Sequence, residues 1–471
     1  MKTQRTFLAA TALAATCILN LSALGQGALT PPGPPAPTMK SLDQIEPRTI
    51  VNAVNTPGDA GDMFVISQPG SYYLTTNLTA TSTFLQNGIA ITTNNVTLDL
   101  NGFALNSLPG TSSGTAISIP GIRSKITVRN GSINGWGFAG VLQYSASVNS
   151  YLSVNLLFEH LNISGSQDGI YASGAAVVRD CHVYNNSSDG IDCNVLGNST
   201  IASIVSGCTA DGNGGAGIDV NSGNVSDCTA NNNIGDGIYN SSGTVSGCIA
   251  YGNGSDGIES DSCAVSGCIA NANGVDGDGY GIEVVSGTVS GCTASGNSDS
   301  GILAFYSTVS GCTVLYNFAS GIYGEQTVVS GCTAANNSNN GIELDTSATN
   351  ASPGMASDCI VLNNQNNGIF VNGAGGVITG NNCDYNNTSV NSGCAGITIY
   401  YSTGNRIENN HVTGSGYAGI NVSGSNNIII KNSVTGNGLN DYLITSGQIT
   451  GPFINATGII ASSNPWANFS F

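Results

Sequence analysis

Charge is scarce in this chain, and positive charge is scarcest. Only 8% of its 471 residues are charged, 10 Lys and Arg face 28 Asp and Glu, and no Lys or Arg stands between Arg179 and Arg406. A formal net charge of −18 excludes a surface that attracts nucleic acid or anionic membrane. Polyanionic sugars are repelled along the middle of the chain unless a cation mediates. The three histidines, His160, His182 and His411, are too scattered for a zinc set. Past the N-terminal segment no apolar run is long enough to span a bilayer. What is abundant is Gly, 65 residues, with Val, Ile, Asn, Ser and Thr, a composition that fits β-structure rich in turns.

The N-terminus reads as a secretory signal, with Lys2 and Arg5 ahead of an apolar stretch from Phe7 to Leu24 and small residues around Gly25 to Ala28. Its removal leaves the chain more negative still. The expected organisation is a signal peptide at 1–27, a Pro-rich linker at 28–40, an N-terminal cap with the first rungs at 41–124, repeats at 125–450 and a C-terminal cap at 451–471. A secreted, extracellular or cell-surface location follows.

The repeats dominate the rest. Cys208, Cys228, Cys248 and Cys268 are spaced by 20 residues, and Cys292, Cys312 and Cys332 repeat that spacing after one step of 24. Asn stands five residues after most of these cysteines, as at Asn213, Asn233 and Asn253, and Gly-Ile nine residues after, as at Gly257-Ile258. A period near 20 is too short for a helix pair and suits one coil of a parallel β-solenoid, whose rungs stack about 4.8 Å apart. Stacked Ile then fills the core while stacked Asn satisfies backbone groups at corners. The Cys column reads as a small inward corner position, because Asn410 and Asn432 replace it in later repeats. Some disulfides between rungs are compatible with export.

The "GCTA", Asn and Gly-Ile columns, with the upstream "NVTLDLNGFAL" and "ITVRNGSINGWG" and the terminal "NPWANFSF", resemble the right-handed parallel β-helix (pectate-lyase-like) superfamily of secreted bacterial repeat proteins. The resemblance implies an all-β, single-stranded right-handed solenoid with short caps. It implies little about activity, since that superfamily includes lyases, hydrolases, epimerases and structural spikes. No Asp-Asp or His-Gly is present, and only "RIE" at Arg406 approaches a catalytic Arg-Ile-Lys. No family catalytic residue carries over. The Gly-x-Gly-x-x-Gly matches at 212, 252 and 414 are turn glycines with no helix following.

One column varies in an informative way. The residue after Gly-Ile is Tyr171, Asp192, Asp219, Tyr239, Glu259, Glu283, Leu303, Tyr323, Glu343 and Phe370 in turn. Because Ile points inward its neighbour points outward, so an exposed stripe of acids and aromatics is expected. Tyr239, Tyr323 and Phe370 suit stacking on a polysaccharide, with acids taking hydroxyl protons; a solvated strand face is the plain alternative. Glu259 and Glu283 fall on adjacent rungs, near the carboxyl separation of a retaining glycosidase. The longer loop "GVDGDGY" adds Asp276 and Asp278, which with these acids fit calcium, a catalytic centre or a simple turn insertion. Two functions therefore stand: an exported protein that binds or processes a polysaccharide as a hydrolase- or lyase-like enzyme, and a non-catalytic structural or adhesive surface protein.

Overall fold

A computed structural model describes residues 46–80, 87–107, 114–144, 153–194, 202–277, 279–346, 353–460 and 462–471. The expected signal and linker segments and Asp278 lie outside the described residues. The chain divides into residues 1–48 and 49–471. In the first unit Arg48 Nε donates to Glu46 Oε1 at 2.8 Å; the second unit is a parallel β-helix.

One coil shows how the repeat becomes a rung. Ile302–Phe305, Thr308–Ser310 and Thr313–Leu315 are its three strands, and each pairs in parallel with the equivalent strand one coil later, Ile302 with Ile322, Val309 with Val329 and Thr313 with Thr333. Among the described residues there is no helix, and the one antiparallel contact is an isolated Pro57–Phe64 bridge. Between second and third strands the chain turns through the left-handed region, at Gly247 (φ 62°), Gly311 (φ 60°) or Asp227 (φ 53°). Gly and Asp are among the residues that tolerate this conformation.

The three columns of the sequence are the three inner corners and walls of the coil. Ile218, Ile238, Ile258, Ile282 and Ile302 are fully buried and stack in register. Each contributes about 1.5–3 kcal/mol relative to exposure. Gly precedes Ile because the wall is tight: a Cβ on Gly257 would meet Asn273 Nδ2 at 2.5 Å and Gly281 O at 2.6 Å.

The Asn column is a continuous ladder. Asn233 Nδ2 donates to Asn253 Oδ1 at 3.0 Å, Asn253 to Asn273 at 2.9 Å and Asn273 to Asn297 at 3.0 Å. The second Nδ2 proton of Asn253 reaches Ala230 O at 3.1 Å, and its Oδ1 also accepts the Asn233 backbone N–H at 3.1 Å. Every polar atom of a buried amide is thereby used. The step from Asn273 to Asn297 spans the four-residue insertion, yet the ladder distance is unchanged, so the extra residues stay in the loop.

The Cys column is buried, and its thiols donate to backbone carbonyls, Cys248 Sγ to Ser246 O at 3.3 Å. All thirteen described cysteines are free, so the rungs stand without the disulfides that the sequence allowed. Where the column ends, Asn takes the corner: the Cys359 backbone N–H donates to Asn381 Oδ1, and Asn381, Asn410, Asn432 and Asn468 continue as a second ladder at 3.0–3.1 Å. The final coil is broken, with Ile449–Thr450 on Ile428–Ile430 and Asn468–Ser470 on Ser433–Thr435.

Candidate functional site

The row after Gly-Ile forms as the period requires. Strand register places Tyr171 beside Asp192, Asp192 beside Asp219, Asp219 beside Tyr239, Tyr239 beside Glu259 and Glu259 beside Glu283. It continues through Leu303, Tyr323 and Glu343 to Phe370. The expectation of an exposed stripe needs correction: Asp192 and Leu303 are buried and the rest are half-buried. The physical reason is that the turns flanking the strand also carry side chains, which rise beside the row and narrow it.

Those flanking residues make the chemistry. The position just before Gly-Ile holds Asp236 and Asp256 on consecutive rungs, and together with Glu259 they bring carboxylate oxygens within 4.8 Å of one another. Asp236 Oδ1 accepts the Asp256 backbone N–H at 3.0 Å, and Asp256 Oδ1 accepts the Tyr280 N–H at 2.6 Å. Burial pushes the Asp256 carboxyl up, and the charges of Asp236, Glu283 and Glu259 push the same way. Burial raises Glu259 too, reinforced by Asp236 and Glu283, and burial raises Glu283. With no Lys or Arg between Arg179 and Arg406, nothing cationic from this stretch relieves them. With Asp256 pushed up to about 8 and Glu259 to about 7, these two carboxyls hold protons near neutral pH, or the group shares a cation.

A second acidic group lies N-terminal to the first. Asp192 is pushed up to about 7, by burial first and then by Asp219. Asn194 links the pair, its backbone N–H donating to Asp192 Oδ1 and its Nδ2 to Asp219 Oδ2, both at 2.9 Å, while Asp219 Oδ1 is buried with no partner.

The predicted site residues distribute unevenly. Glu259 and Glu283 are brought together as expected. Asp276 is exposed, its carboxylate resting over Gly254, and Asp278 lies outside the described residues; among the described residues a further group of acids that could hold a cation is Asp236, Asp256 and Glu259. The insertion is spent on a turn that delivers the Tyr280 N–H to Asp256. Tyr239 donates its hydroxyl to Asp261 Oδ2 at 3.4 Å and is pushed up to about 12, chiefly by burial. Tyr323 meets Phe305 edge-on with centroids 6.4 Å apart, and Phe370 lies 5.7 Å from Tyr400, itself 4.7 Å from Tyr401. Glu343 is a satisfied anchor, bonded by Ser320 at 2.6 Å and Asn340 at 2.9 Å. Sequence reasoning missed Asp236, Asp256, Phe305, Tyr400 and Tyr401. The signal for the acids was the recurring Asp-Gly-Ile at 168, 189, 236 and 256.

Residues 285–384 match the family described as a right handed beta helix region. The solenoid is a right-handed β-helix. No curated protein matches the chain. Among solved structures the β-helix is similar to the Dettilon tailspike protein, at 14% identity over 75% of this chain and 62% of that one, with a TM-score of 0.33. It is similar to the A-module of a mannuronan C-5 epimerase from Azotobacter vinelandii, at 12% identity over 76% of this chain and 90% of that one, TM-score 0.31. A periplasmic alginate epimerase matches at 12% identity over 84% of this chain and 81% of that one, TM-score 0.31. The chain thus spans less than two thirds of the tailspike's length. These are likenesses of fold, and no residue role transfers through them. No helix among the described residues is long and apolar enough to cross a membrane.

Proposed function

We propose that this β-helix is an exported glycan-binding protein that holds a neutral polysaccharide along the half-buried row from Tyr239 to Phe370. The observation that carries the reading is the register itself, which sets rings and carboxyls at one-rung intervals on a single face. Half-buried Tyr and Phe offer apolar faces to sugar rings, and carboxyls beside them accept hydroxyl protons. A neutral chain fits because the row has acids and no cation to balance an anionic one. A glycan array with wild type and the Tyr239→Ala, Tyr323→Ala, Phe370→Ala triple variant tests it. Binding by the wild type that the variant loses supports the reading; no binding, or equal binding, removes it.

The carboxyl group at Asp236, Asp256, Glu259 and Glu283 is the place for chemistry on the bound chain. Glu259 and Glu283 are the acids for glycosidic cleavage, one protonated to serve the leaving oxygen and one ionised opposite it. If they act so, Glu283→Gln abolishes product release from a bound neutral glycan and leaves affinity intact. The same oxygens suit calcium, centred on Asp236, Asp256 and Glu259. A melting temperature that rises with millimolar calcium, and no longer does so in Asp256→Asn, distinguishes the metal site from the protonated acid.

A further inference from the structure

The buried cysteine column takes no part in the row or in the carboxyl group described above. It runs coil by coil from Cys181 to Cys359, because the residue after each cysteine is the register partner of its equivalent one coil on, from His182 with Thr209 to Thr333 with Ile360. Eleven cysteines lie in this span; Cys193 and Cys263 are off the column, so nine stand in it with eight gaps between them.

The sulfurs are aligned along the axis. Each column cysteine is 1–2% exposed, and a thiol has its neighbours above and below within hydrogen-bonding reach, as Cys208 has Cys181 and Cys228, and Cys292 has Cys268 and Cys312. Cys268 N–H donates to Cys292 Sγ and Cys312 N–H to Cys332 Sγ, both at 3.4 Å, so the sulfur accepts from within the column. Its single proton goes to a carbonyl, as from Cys228 Sγ to Ser226 O at 3.2 Å.

The spacing selects a bond type. Equivalent atoms on successive rungs lie about 4.8 Å apart. A disulfide needs Cβ atoms about 3.8 Å apart, so it would draw two rungs together. A thiolate bond to a d10 metal ion is about 2.3 Å long, and two in line span roughly 4.6 Å, which fits the gap without moving the backbone. No third thiol converges on a gap: among the described residues the one group of three or more candidate ligands is Asp236, Asp256 and Glu259. That excludes the tetrahedral set of zinc and suits an ion that accepts two soft sulfurs in line.

We propose that the column is a chain of two-coordinate sites for a soft monovalent ion of the copper(I) or silver(I) class, one ion in each gap between adjacent coils. Each ion displaces one thiol proton and takes a lone pair from the next sulfur, so every inner sulfur bridges two ions. Eight gaps filled release eight protons, one terminal thiol keeps its own, and nothing is oxidised or reduced. The filled column stays neutral, which avoids the cost of a buried charge. Its ends are set by residues that do not continue it, the buried Leu161 one coil before Cys181 and Asn381 one coil after Cys359; hydrocarbon and amide are not soft ligands. Entry is along the bare corner. Gly267, Gly291, Gly311 and Gly331 each precede a column cysteine, are exposed, and have nothing within 4 Å of a would-be Cβ. A bare ion passes this single glycine peptide where an alkylating reagent, which needs an ionised thiol and room for its own skeleton, does not.

The probe is silver nitrate in chloride-free buffer, added to reduced protein carrying Cys394→Ser, which removes the one partly exposed thiol among the described cysteines. Thiolate-to-silver absorption in the ultraviolet should rise to an end point of about eight ions per chain, with one proton released per ion in a pH-stat and the β-type circular dichroism retained. Zinc sulfate should produce no such band. Cys268→Ser keeps a donor for the Ser266 carbonyl and interrupts two gaps, so its end point should fall to about six; Cys312→Ser should do the same and serves if the first variant does not fold. An end point of about four or fewer, which isolated pairs alone would give, overturns the proposal. So does an equal band from zinc, release of two protons per ion, loss of β-structure during the titration, or an undiminished end point in both serine variants.

Discussion

Glu259 and Glu283 occupy the same position on successive rungs, and burial raises the carboxyl pKa of each. Asp256, Asp192 and Asp219 are raised by the same cause. For such groups the folded state retains protons that the unfolded chain has lost, so stability falls as pH rises from the unfolded carboxylate range, about 4, towards the raised folded values. Thermal melts across pH 4 to 8 should show a melting temperature that declines with pH in this window. Glu259→Gln should raise the melting temperature at the alkaline end and change it little at the acid end. A flat profile in the wild type would falsify the buried-carboxyl account.

The Asn ladder predicts a large cost for a small change. Asn253→Ala removes an acceptor used by two donors of Asn233 and a donor used by Asn273 and Ala230. Each buried group left without a partner costs about 1–3 kcal/mol. Urea unfolding should show a loss of about 3 kcal/mol or more, whereas Asn339→Ala, outside the ladder, should cost far less.

Two glycines in one rung separate crowding from backbone strain. Gly257→Ala drives a Cβ to 2.5 Å from Asn273 Nδ2 and 2.6 Å from the Gly281 carbonyl. Gly267 has a φ of 61° and nothing within 4 Å of its would-be Cβ, so Gly267→Ala meets only the left-handed penalty of about 1–2 kcal/mol. Equilibrium unfolding should rank Gly257→Ala as the more destabilising of the two.

Thiol chemistry gives a count. Twelve of the described cysteines are buried and only Cys394 is partly exposed. Burial pushes the Cys383 and Cys193 thiols far above the ordinary range, and only the thiolate reacts readily. A thiol reagent added to native protein should label Cys394 first, with the column cysteines reacting only on unfolding. Early labelling of Cys248 would contradict the packing role.

The solenoid was legible in the sequence because its columns are one-dimensional. Cys248, Asn253 and Ile258 each do the same thing as their equivalents on the neighbouring coils, so the period alone reveals their positions. The row from Tyr171 to Phe370 was legible for the same reason. Its depth was not, since the side chains beside it belong to turns whose residues change from rung to rung: Ala216, Asp236, Asp256, Tyr280, Ser300. Asp236 and Asp256 matter through burial and mutual repulsion, quantities that no single repeat contains. Asp276 drew attention by interrupting the period, yet an insertion into an open corner reaches solvent more readily than it reaches the stack.

The amides of the ladder all point one way. From Asn233 through Asn253 and Asn273 to Asn297, each donates towards the C-terminal coil and accepts from the N-terminal one, and Asn381, Asn410 and Asn432 keep that sense. Hydrogen bonds in series polarise one another, so the side chains add a directed dipole along the axis, positive towards the end that carries Arg406 and Lys431. The solenoid therefore has an electrical head and tail, and an anion approaching along the axis meets the two ends differently even though the repeats between them are nearly the same.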